Sequence, residues 1–316
     1  MKFSGHESFA CRYAWLPKAY RALSADPAIF AQEESAMVVL GVGKNMVRSI
    51  RFWVEVSGIA TPVGGRSLEL TAFAHAVFGD GGFDPYLEDR RTLWLLHWRV
   101  ATFADDPVFA WRYMLNHWPH GEFTRSEAVA AFLRESERLG HRHSEVTLGQ
   151  HFDVFLHSYA HTRGSAAGED SLDGPLVELD LIQQVGDRKV GEAGRREPVY
   201  GFRREPKPDL SPALFAYCVC DYWNQWHPGE ATLTYRDVAV AECSVGQVFK
   251  LPEEDVRARL EAFATPAATP FRYQPSAVQG LLHRTSPADD AALLAGIYDN
   301  HDLGLAALLR ESGEAE

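Results

Sequence analysis

A helix with one cationic side and one apolar side is predicted over residues 44–55, with glycines close to both of its ends. At about 100° per helical residue, the charged side chains fall within about 40° of one another, and the large apolar side chains share a different side. Such a helix buries one face and offers cations from the other. The charged set is Lys44, Arg48, Arg51 and Glu55, and the apolar set is Met46, Val47, Ile50, Trp53 and Val54.

The residues around this helix predict a winged helix-turn-helix. Gly41 and Gly43 suit a tight turn before the helix, and Gly64-Gly65 predicts a two-residue hairpin after it, with Arg66 at the exit. Helix, glycine turn and hairpin follow the order of a DNA-reading element. The alternative is a solvated basic face on an ordinary helix. The predicted DNA-binding residues are Lys44, Asn45, Arg48, Arg51 and Arg66.

The charge of the chain is divided unevenly along its length. Residues 1–66 hold eight Lys or Arg and five Asp or Glu, a balance of +3, within a chain of net charge -12. Residues 67–316 therefore carry the remaining -15. DNA is expected to bind the N-terminal region, because the acidic remainder repels phosphate.

The length of 316 residues predicts two domains or one large one. Neither a membrane span nor a signal peptide is recognisable, so a cytoplasmic protein with no membrane partner is expected. The cysteines form no CxxC pair, which argues against a zinc ribbon and a disulfide framework and favours buried thiols. They are Cys11, Cys218, Cys220 and Cys243.

The predicted fold class is mainly α, with an N-terminal winged helix-turn-helix over residues 1–83. Helices are predicted there at 15–23, 33–40 and 71–78, the last closed by Gly79.

Residues 84–205 are predicted to form a central helical bundle with mobile loops. Helices are expected over 87–103 and 109–118. Capping boxes at Thr124/Glu127 and Thr147/Gln150 predict two more, near 125–138 and 148–160. The segments 163–174 and 186–198 are rich in glycine and charge. We expect them to be loops around one strand or short helix.

Residues 206–316 predict a second, winged-helix-like C-terminal domain. Ser211-Pro212 suits the start of a helix, further helices are expected at 234–243 and 252–264, and FRYQ-PSA-VQGLLHR predicts a β-hairpin. The third helix is largely acidic, so we expect protein contact or a purely architectural role for this domain.

Four stretches of the sequence resemble the SspB family. They are SGHESFACRYAWLPKAY, LGVGKNMVRSIRFW, GDGGFDPYLEDRRTLWLLHW and EDSLDGPLVELDLI, which together span much of the chain. The resemblance implies membership in a bacterial DNA phosphorothioation system, which replaces a non-bridging phosphate oxygen with sulfur on one strand. It also implies a DNA-nicking role beside a cysteine desulfurase, an ATP-pyrophosphatase-like protein and an ATPase.

Nicking chemistry requires charge stabilisation on phosphorus and an activated water, commonly with Mg²⁺ or Mn²⁺ held by carboxylates. A first candidate cluster combines a possible base, His6, with a carboxylate that could bind metal, Glu7, and two phosphate clamps, Arg12 and Lys18. The alternative is that His6 and Glu7 make structural hydrogen bonds or cap the first helix.

A second candidate cluster follows a glycine turn and contains three further possible metal ligands, Asp84, Glu88 and Asp89, with Arg90 and Arg91 beside them. Glu88 and Asp89 would equally suit the start of a helix, where the helix dipole favours negative charge.

Two functions are therefore open. The first is a metal-dependent endonuclease that nicks one DNA strand. The second is a non-catalytic winged-helix module that recruits the sulfur-transfer proteins or regulates their operon.

Overall fold

A computed structural model describes residues 1–64, 66–161, 174–190, 195–263, 269–276 and 279–299. These residues are mainly helical, with short antiparallel strands, which confirms the predicted mainly α fold class. The chain divides into two compact units, Met1–Arg203 and Arg204–Glu316. The predicted domain boundaries at residues 83 and 205 stay predictions.

The described N-terminal part of the first unit contains four α-helices, a 3₁₀ turn at Ile29–Ala31 and a two-stranded hairpin. Gly41 ends the second helix in the left-handed region at φ 67°, and Gly43 precedes the third in extended conformation. Thr71 caps the fourth helix by accepting from the backbone N–H of Ala74. The elements are α1 (Trp15–Ala25), α2 (Glu33–Leu40), α3 (Lys44–Val56), β1 (Ala60–Val63), β2 (Ser67–Leu70) and α4 (Ala72–Phe78).

The connection between β1 and β2 differs from the predicted two-residue turn. Val63 pairs with Ser67, so three residues join the strands. Arg66 therefore belongs to the connection itself instead of the following strand. Gly65, one of the two predicted turn residues, lies outside the described residues.

The rest of the first unit, as far as the structure describes it, is helical with one small sheet. A π-helical turn at Tyr113–His117 continues the helix that ends at Arg112, and a 3₁₀ turn at Pro175–Leu179 precedes the strand that begins at Ile182. The elements are α5 (Arg90–Thr102), α6 (Phe109–Arg112), β3 (Glu122–Phe123), α7 (Arg125–Arg138), α8 (Glu145–Tyr159), β4 (Ile182–Val190) and β5 (Arg195–Phe202).

One of the two capping boxes predicted in this region is present. Thr124 and Glu127 cap α7 reciprocally, and α7 spans the predicted residues. The second prediction is wrong, because α8 begins earlier and Ser144 is its cap. The Ser144 hydroxyl accepts from the backbone N–H of Thr147, which already lies inside the helix.

Residues 186–190 and 195–198 do not form the predicted loop, whereas residues 191–194 of that segment lie outside the described residues. Most of the segment lies in β4 and β5, which pair in antiparallel fashion and share a sheet of order β3-β5-β4. The glycine-rich, charged composition suggested a segment whose backbone N–H and C=O groups are bound by water. Pairing between the two strands provides partners for these groups instead. Of the other predicted loop, residues 163–173 lie outside the described residues.

Aromatic side chains join α3 to the helices of the central segment. The rings of Trp53 on α3 and Trp111 on α6 pack edge to face, with centroids 5.6 Å apart. Trp111 also packs against Phe155 of α8. Both tryptophans are almost fully buried. The core of the first unit is therefore continuous from α3 to α8, and it fixes α3 by its apolar face.

The second unit contains a helix, capped by Ser211 as predicted, followed by short helices and a three-stranded antiparallel sheet of order β6-β8-β7. The predicted hairpin is present as β7 and β8. The winged-helix assignment of this unit stays a prediction. The elements are α9 (Pro212–Trp226), β6 (Thr232–Thr234), α10 (Tyr235–Ala239), α11 (Val245–Val248), α12 (Glu253–Ala262), β7 (Phe271–Gln274), β8 (Leu281–Arg284) and α13 (Asp290–Tyr298).

Among the helices of the described segments, none has both the length and the apolar composition needed to cross a lipid bilayer.

Candidate nucleic-acid interface

The first turns of α3 present polar and cationic side chains to solvent. Lys44, Asn45 and Arg48 are exposed, whereas Val47 and Ile50, on the other side of the same turns, are buried. The helical spacing of apolar residues fixes this orientation, because burying one face leaves the other in water. The predicted separation of the two faces is therefore present.

The cations of this face are paired with a carboxylate of the preceding helix. Glu33, in the first turn of α2, accepts from Nζ of Lys44 at 2.8 Å and from Nε of Arg48 at 2.7 Å. The hydrogen bond from Arg48, followed by that from Lys44, lowers the pKa of Glu33 to about 2. Glu33 was not among the predicted site residues. The sequence places Glu33 in the first turn of α2, and the glycine turn folds α2 back beside α3. This position could have indicated that Glu33 pairs with the cations of α3.

Arg51 is held by a different carboxylate, one turn further along α3. Its Nε donates to Glu55 at 2.8 Å, as the spacing of four residues permits. Glu55 also lies 3.5 Å from Nζ of Lys2. This pair is less exposed than the Glu33 pairs, with side-chain exposures of 31% for Arg51 and 16% for Glu55.

Arg66 projects from the β1–β2 connection and is exposed. Within the described part of the chain it has no ion-pair partner. Arg66 lines a cavity of about 290 Å³ together with Arg48 and Arg51. The structure thus brings three of the five predicted DNA-binding residues to one cavity. The remaining lining residues are Phe30, Ala31, Glu33 and Val47.

The N-terminal SGHESF stretch forms a turn that packs on α3. Gly5, Glu7 and Ser8 all have positive φ, at 111°, 48° and 66°. A Cβ on Gly5 would lie 2.8 Å from the ring of Phe52, so close approach as well as conformation requires glycine. The indole N–H of Trp53 donates to the carbonyl of Phe9 at 3.1 Å. We refer to residues 5–9 as the N-terminal turn.

His6, the predicted catalytic base, points into the core from the N-terminal turn. Its ring is 4% exposed, and its Nε2 lies 2.7 Å from Nδ1 of His151 on α8. Burial lowers the pKa of His6 to about 4. These contacts match the structural alternative considered for His6, since the ring is engaged by protein and screened from water.

Glu7, predicted as a catalytic and metal-binding carboxylate, is half-buried beside the basic helix. The pKa of Arg48 is raised mainly by its hydrogen bond to Glu33, and the charge of Glu7 adds a smaller effect in the same direction. The structure therefore brings Glu7 within electrostatic reach of a predicted DNA-binding arginine.

The two predicted phosphate clamps of the first cluster lie on or next to α1. The guanidinium of Arg12 lies 5.5 Å from the ring centre of Trp15, in a cation–π arrangement. Lys18 is exposed on α1.

The carboxylates of the second cluster hold the start of α5. Asp84 is 5% exposed, and its two oxygens accept from the backbone N–H groups of Glu88 at 2.8 Å and Asp89 at 3.1 Å. Asp89 caps α5 and forms an ion pair with Arg91 at 2.6 Å. Glu88 is exposed. Asp84 and Asp89 thus make the structural contacts of a helix start.

Magnesium prefers several oxygen ligands arranged around one point. In the residues that the structure describes, no group of three or more His, Cys, Asp or Glu side chains is arranged to hold a metal ion. The predicted ligands Glu7, Asp84, Glu88 and Asp89 are therefore not assembled into such a group. The oxygens of Asp84 and Asp89 accept hydrogen bonds from the backbone and from Arg91, and the metal-ligand role of the four residues stays a prediction.

A family model described as "Protein of unknown function (DUF4007)" matches residues 3–298. Two solved structures match 94% of this chain and 87% of their own chains, at 27% sequence identity. They are a magnesium ion-bound SspB crystal structure, with a TM-score of 0.81, and an SspB crystal structure, with a TM-score of 0.78. No curated protein matches the sequence. The predicted resemblance to the SspB family is confirmed.

Proposed function

This chain belongs to the DUF4007 family and is SspB-like, and on that premise we propose that it is the DNA-binding component of an SspB-type DNA phosphorothioation system. One observation carries the proposal: Arg48 and Arg51 of α3 and Arg66 of the β1–β2 connection line a single cavity. A helix and a hairpin whose arginines line the same cavity suit the way a winged helix-turn-helix binds the phosphates of DNA.

In this proposal α3 is the recognition helix and the β1–β2 hairpin is the wing. Lys44 and Asn45 lie at the start of α3 and are exposed, which suits contact with base edges in the major groove. An asparagine there can pair with adenine through two hydrogen bonds. Arg48, Arg51 and Arg66 contact phosphates, which position the protein without reading sequence.

The acidic balance of residues 67–316 limits the affinity for arbitrary duplex. Fifteen net negative charges outside the N-terminal region repel phosphate. Tight binding is therefore expected only at DNA that engages the α3 surface well, or with help from a partner. The partners that the family resemblance implies are a cysteine desulfurase, an ATP-pyrophosphatase-like protein and an ATPase.

The test of DNA binding compares the wild-type chain with a Lys44→Ala/Arg48→Ala/Arg51→Ala variant. Fluorescence anisotropy with a labelled duplex, repeated over a range of salt concentrations, gives the affinity and its salt dependence. The variant is expected to lose affinity and to show a shallower dependence on salt. Arg134→Ala is the matched control, because Arg134 is exposed on α7. Equal affinity of the triple variant and the wild type would remove the DNA-binding role from α3.

DNA nicking is the second candidate function. The observation that favours it is that one of the matching SspB structures is magnesium ion-bound. Glu7 is the residue of choice for its test, since it lies near Arg48 and is only half-buried. His6 is unsuitable, because replacing a buried side chain disturbs packing as well as any chemistry.

The nicking assay follows conversion of supercoiled plasmid to open circle in buffers with Mg²⁺ or Mn²⁺. If the chain nicks DNA, Glu7→Gln is expected to slow the conversion while binding to the labelled duplex persists. Glu34→Gln, which removes an exposed carboxylate of α2, serves as the control. Open circle formed equally fast by all three proteins would exclude Glu7 from the chemistry, and its absence throughout would leave DNA binding as the supported function.

A further inference from the structure

The carboxylate of Glu33 occupies hydrogen-bond donors that the proposed function assigns to DNA. It accepts from Lys44 at 2.8 Å and from Arg48 at 2.7 Å, and Glu33 itself lines the cavity shared with Arg51 and Arg66. A carboxylate and a phosphate both present oxygens with negative charge to such donors. In the free protein, Glu33 therefore stands where a phosphate oxygen would bind.

We propose that Glu33 is an internal competitor for DNA, which a backbone phosphate displaces from Lys44 and Arg48 when it enters the cavity between Arg48, Arg51 and Arg66. The inference rests on the proposed DNA-binding function and specifies a phosphate subsite and its regulation. The ligand class is the phosphodiester group of a DNA strand.

The exposure of the ion pairs explains why Glu33 can leave. Side-chain exposures are 34% for Glu33, 56% for Lys44 and 45% for Arg48. Ion pairs so open to water and salt contribute little to stability, because solvent screens them. Breaking these pairs is therefore a small cost beside new charge-assisted hydrogen bonds to phosphate.

The neighbouring carboxylate is less suited to move. Glu55 is 16% exposed and faces two cations, Arg51 at 2.8 Å and Lys2 at 3.5 Å. Separating a carboxylate from its two cationic partners costs more free energy where the side chains are less exposed to water. Glu33 is thus the displaceable group, and Glu55 keeps Arg51 in position at the cavity.

The competition has a thermodynamic signature that simple charge repulsion lacks. When DNA binds, counterions leave its phosphates. If Glu33 is displaced at the same time, its carboxylate takes up a cation from solution, so fewer cations are released in total. Removing Glu33 should therefore raise the affinity for DNA and also steepen its dependence on salt.

The experiment compares Glu33→Gln with Glu34→Gln. Both substitutions remove one negative charge from α2, but only Glu33 is bonded to Lys44 and Arg48, whereas Glu34 is exposed beside it. The readout is the anisotropy of a labelled duplex over a salt series, with thermal unfolding to verify that both variants fold.

Glu33→Gln is expected to bind about tenfold more tightly than the wild type, whereas Glu34→Gln stays within about twofold of it. The salt slope of Glu33→Gln should steepen by about one unit. Equal affinities and slopes for the two variants, with DNA bound by all proteins, would overturn the competitor role and leave the proposed function standing. Failure of all three proteins to bind duplex would overturn both.

Discussion

Nε2 of His6 lies 2.7 Å from Nδ1 of His151, and the backbone N–H of Ala110 donates to the other nitrogen of His151 at 3.0 Å. The backbone N–H of Ser8 donates to Nδ1 of His6 at 3.2 Å, so each ring has its outer nitrogen engaged by backbone and its inner nitrogen facing the other ring. Burial disfavours a positive charge on either ring and lowers the pKa of both. The pair therefore fastens the N-terminal turn to α6 and α8 with both rings neutral.

Because of this pair, the free energy of unfolding is expected to decrease as the pH is lowered. Burial lowers the pKa of His6 to about 4 in the folded state, whereas the unfolded chain retains the ordinary value of 6.5. Between these values the unfolded chain binds more protons, so the stabilisation is present above about pH 6.5 and is lost as the pH falls towards 4. The contribution of His6 amounts to roughly 2 kcal/mol between about pH 7 and about pH 5.

Urea unfolding at a series of pH values measures this effect. His6→Ala should be less stable than the wild type at neutral pH and should depend less on pH. His157→Ala, which removes an exposed histidine of α8, should retain the wild-type dependence. A wild-type slope in the His6 variant would show that other groups cause the acid sensitivity.

Arg66 is expected to contribute to DNA binding without an internal competitor, because it is exposed and has no ion-pair partner in the described segments. Arg66→Ala should weaken binding at all DNA sequences by a similar factor and reduce the salt slope by about 1, since it removes one phosphate contact. Anisotropy titrations with two unrelated duplexes measure both quantities. A sequence-dependent loss would instead indicate contact with bases.

Asp84 is expected to act as a structural residue. Asp84→Ala leaves two backbone N–H groups of the α5 start without their acceptor and should cost about 1–3 kcal/mol of stability. Glu88→Ala, at an exposed neighbouring position, should stay within about 0.5 kcal/mol of the wild type. Chemical denaturation compares the three proteins. Equal stability of the Asp84 variant and the wild type would contradict this role.

Gly5 is expected to tolerate no side chain. Gly5→Ala places a Cβ 2.8 Å from Phe52 at a φ of 111°, so it should destabilise the protein by about 1–3 kcal/mol. Gly121→Ala is the control, because a Cβ at Gly121 would meet open space. Thermal unfolding of both variants provides the comparison, and similar midpoints would mean that the N-terminal turn adapts to the added methyl group.

Local signals in the sequence predicted the helices well. The predicted spans 33–40 and 125–138 coincide with α2 and α7, because apolar periodicity and a capping box act within a few residues. The same local rules misplaced the start of α8, since Thr147 and Ser144 both suit a cap and only the packing of the helix decides between them.

Long-range pairing was not accessible to the same reasoning. Residues of β4 such as Asp187 suggest a loop by composition, yet they lie in register beside β5, a pairing that no local pattern indicates. The link from His6 to His151 spans 145 positions. For the candidate site, spacing along α3 correctly placed the cations on one face, but the pairing with Glu33 depends on how the glycine turn folds α2 back.

The contact between Trp53 and Trp111 packs the predicted recognition helix, α3, against α6 of the central segment. The helix is therefore not part of a separately packed N-terminal domain. Under the proposed DNA-binding function, DNA preference is expected to change most readily by substitution at Lys44 or Asn45, which are exposed and outside this packing. Grafting the whole of α3 from a relative would instead require matched changes in α6. On that proposal, the arrangement favours gradual diversification by surface substitution over exchange of the whole of α3.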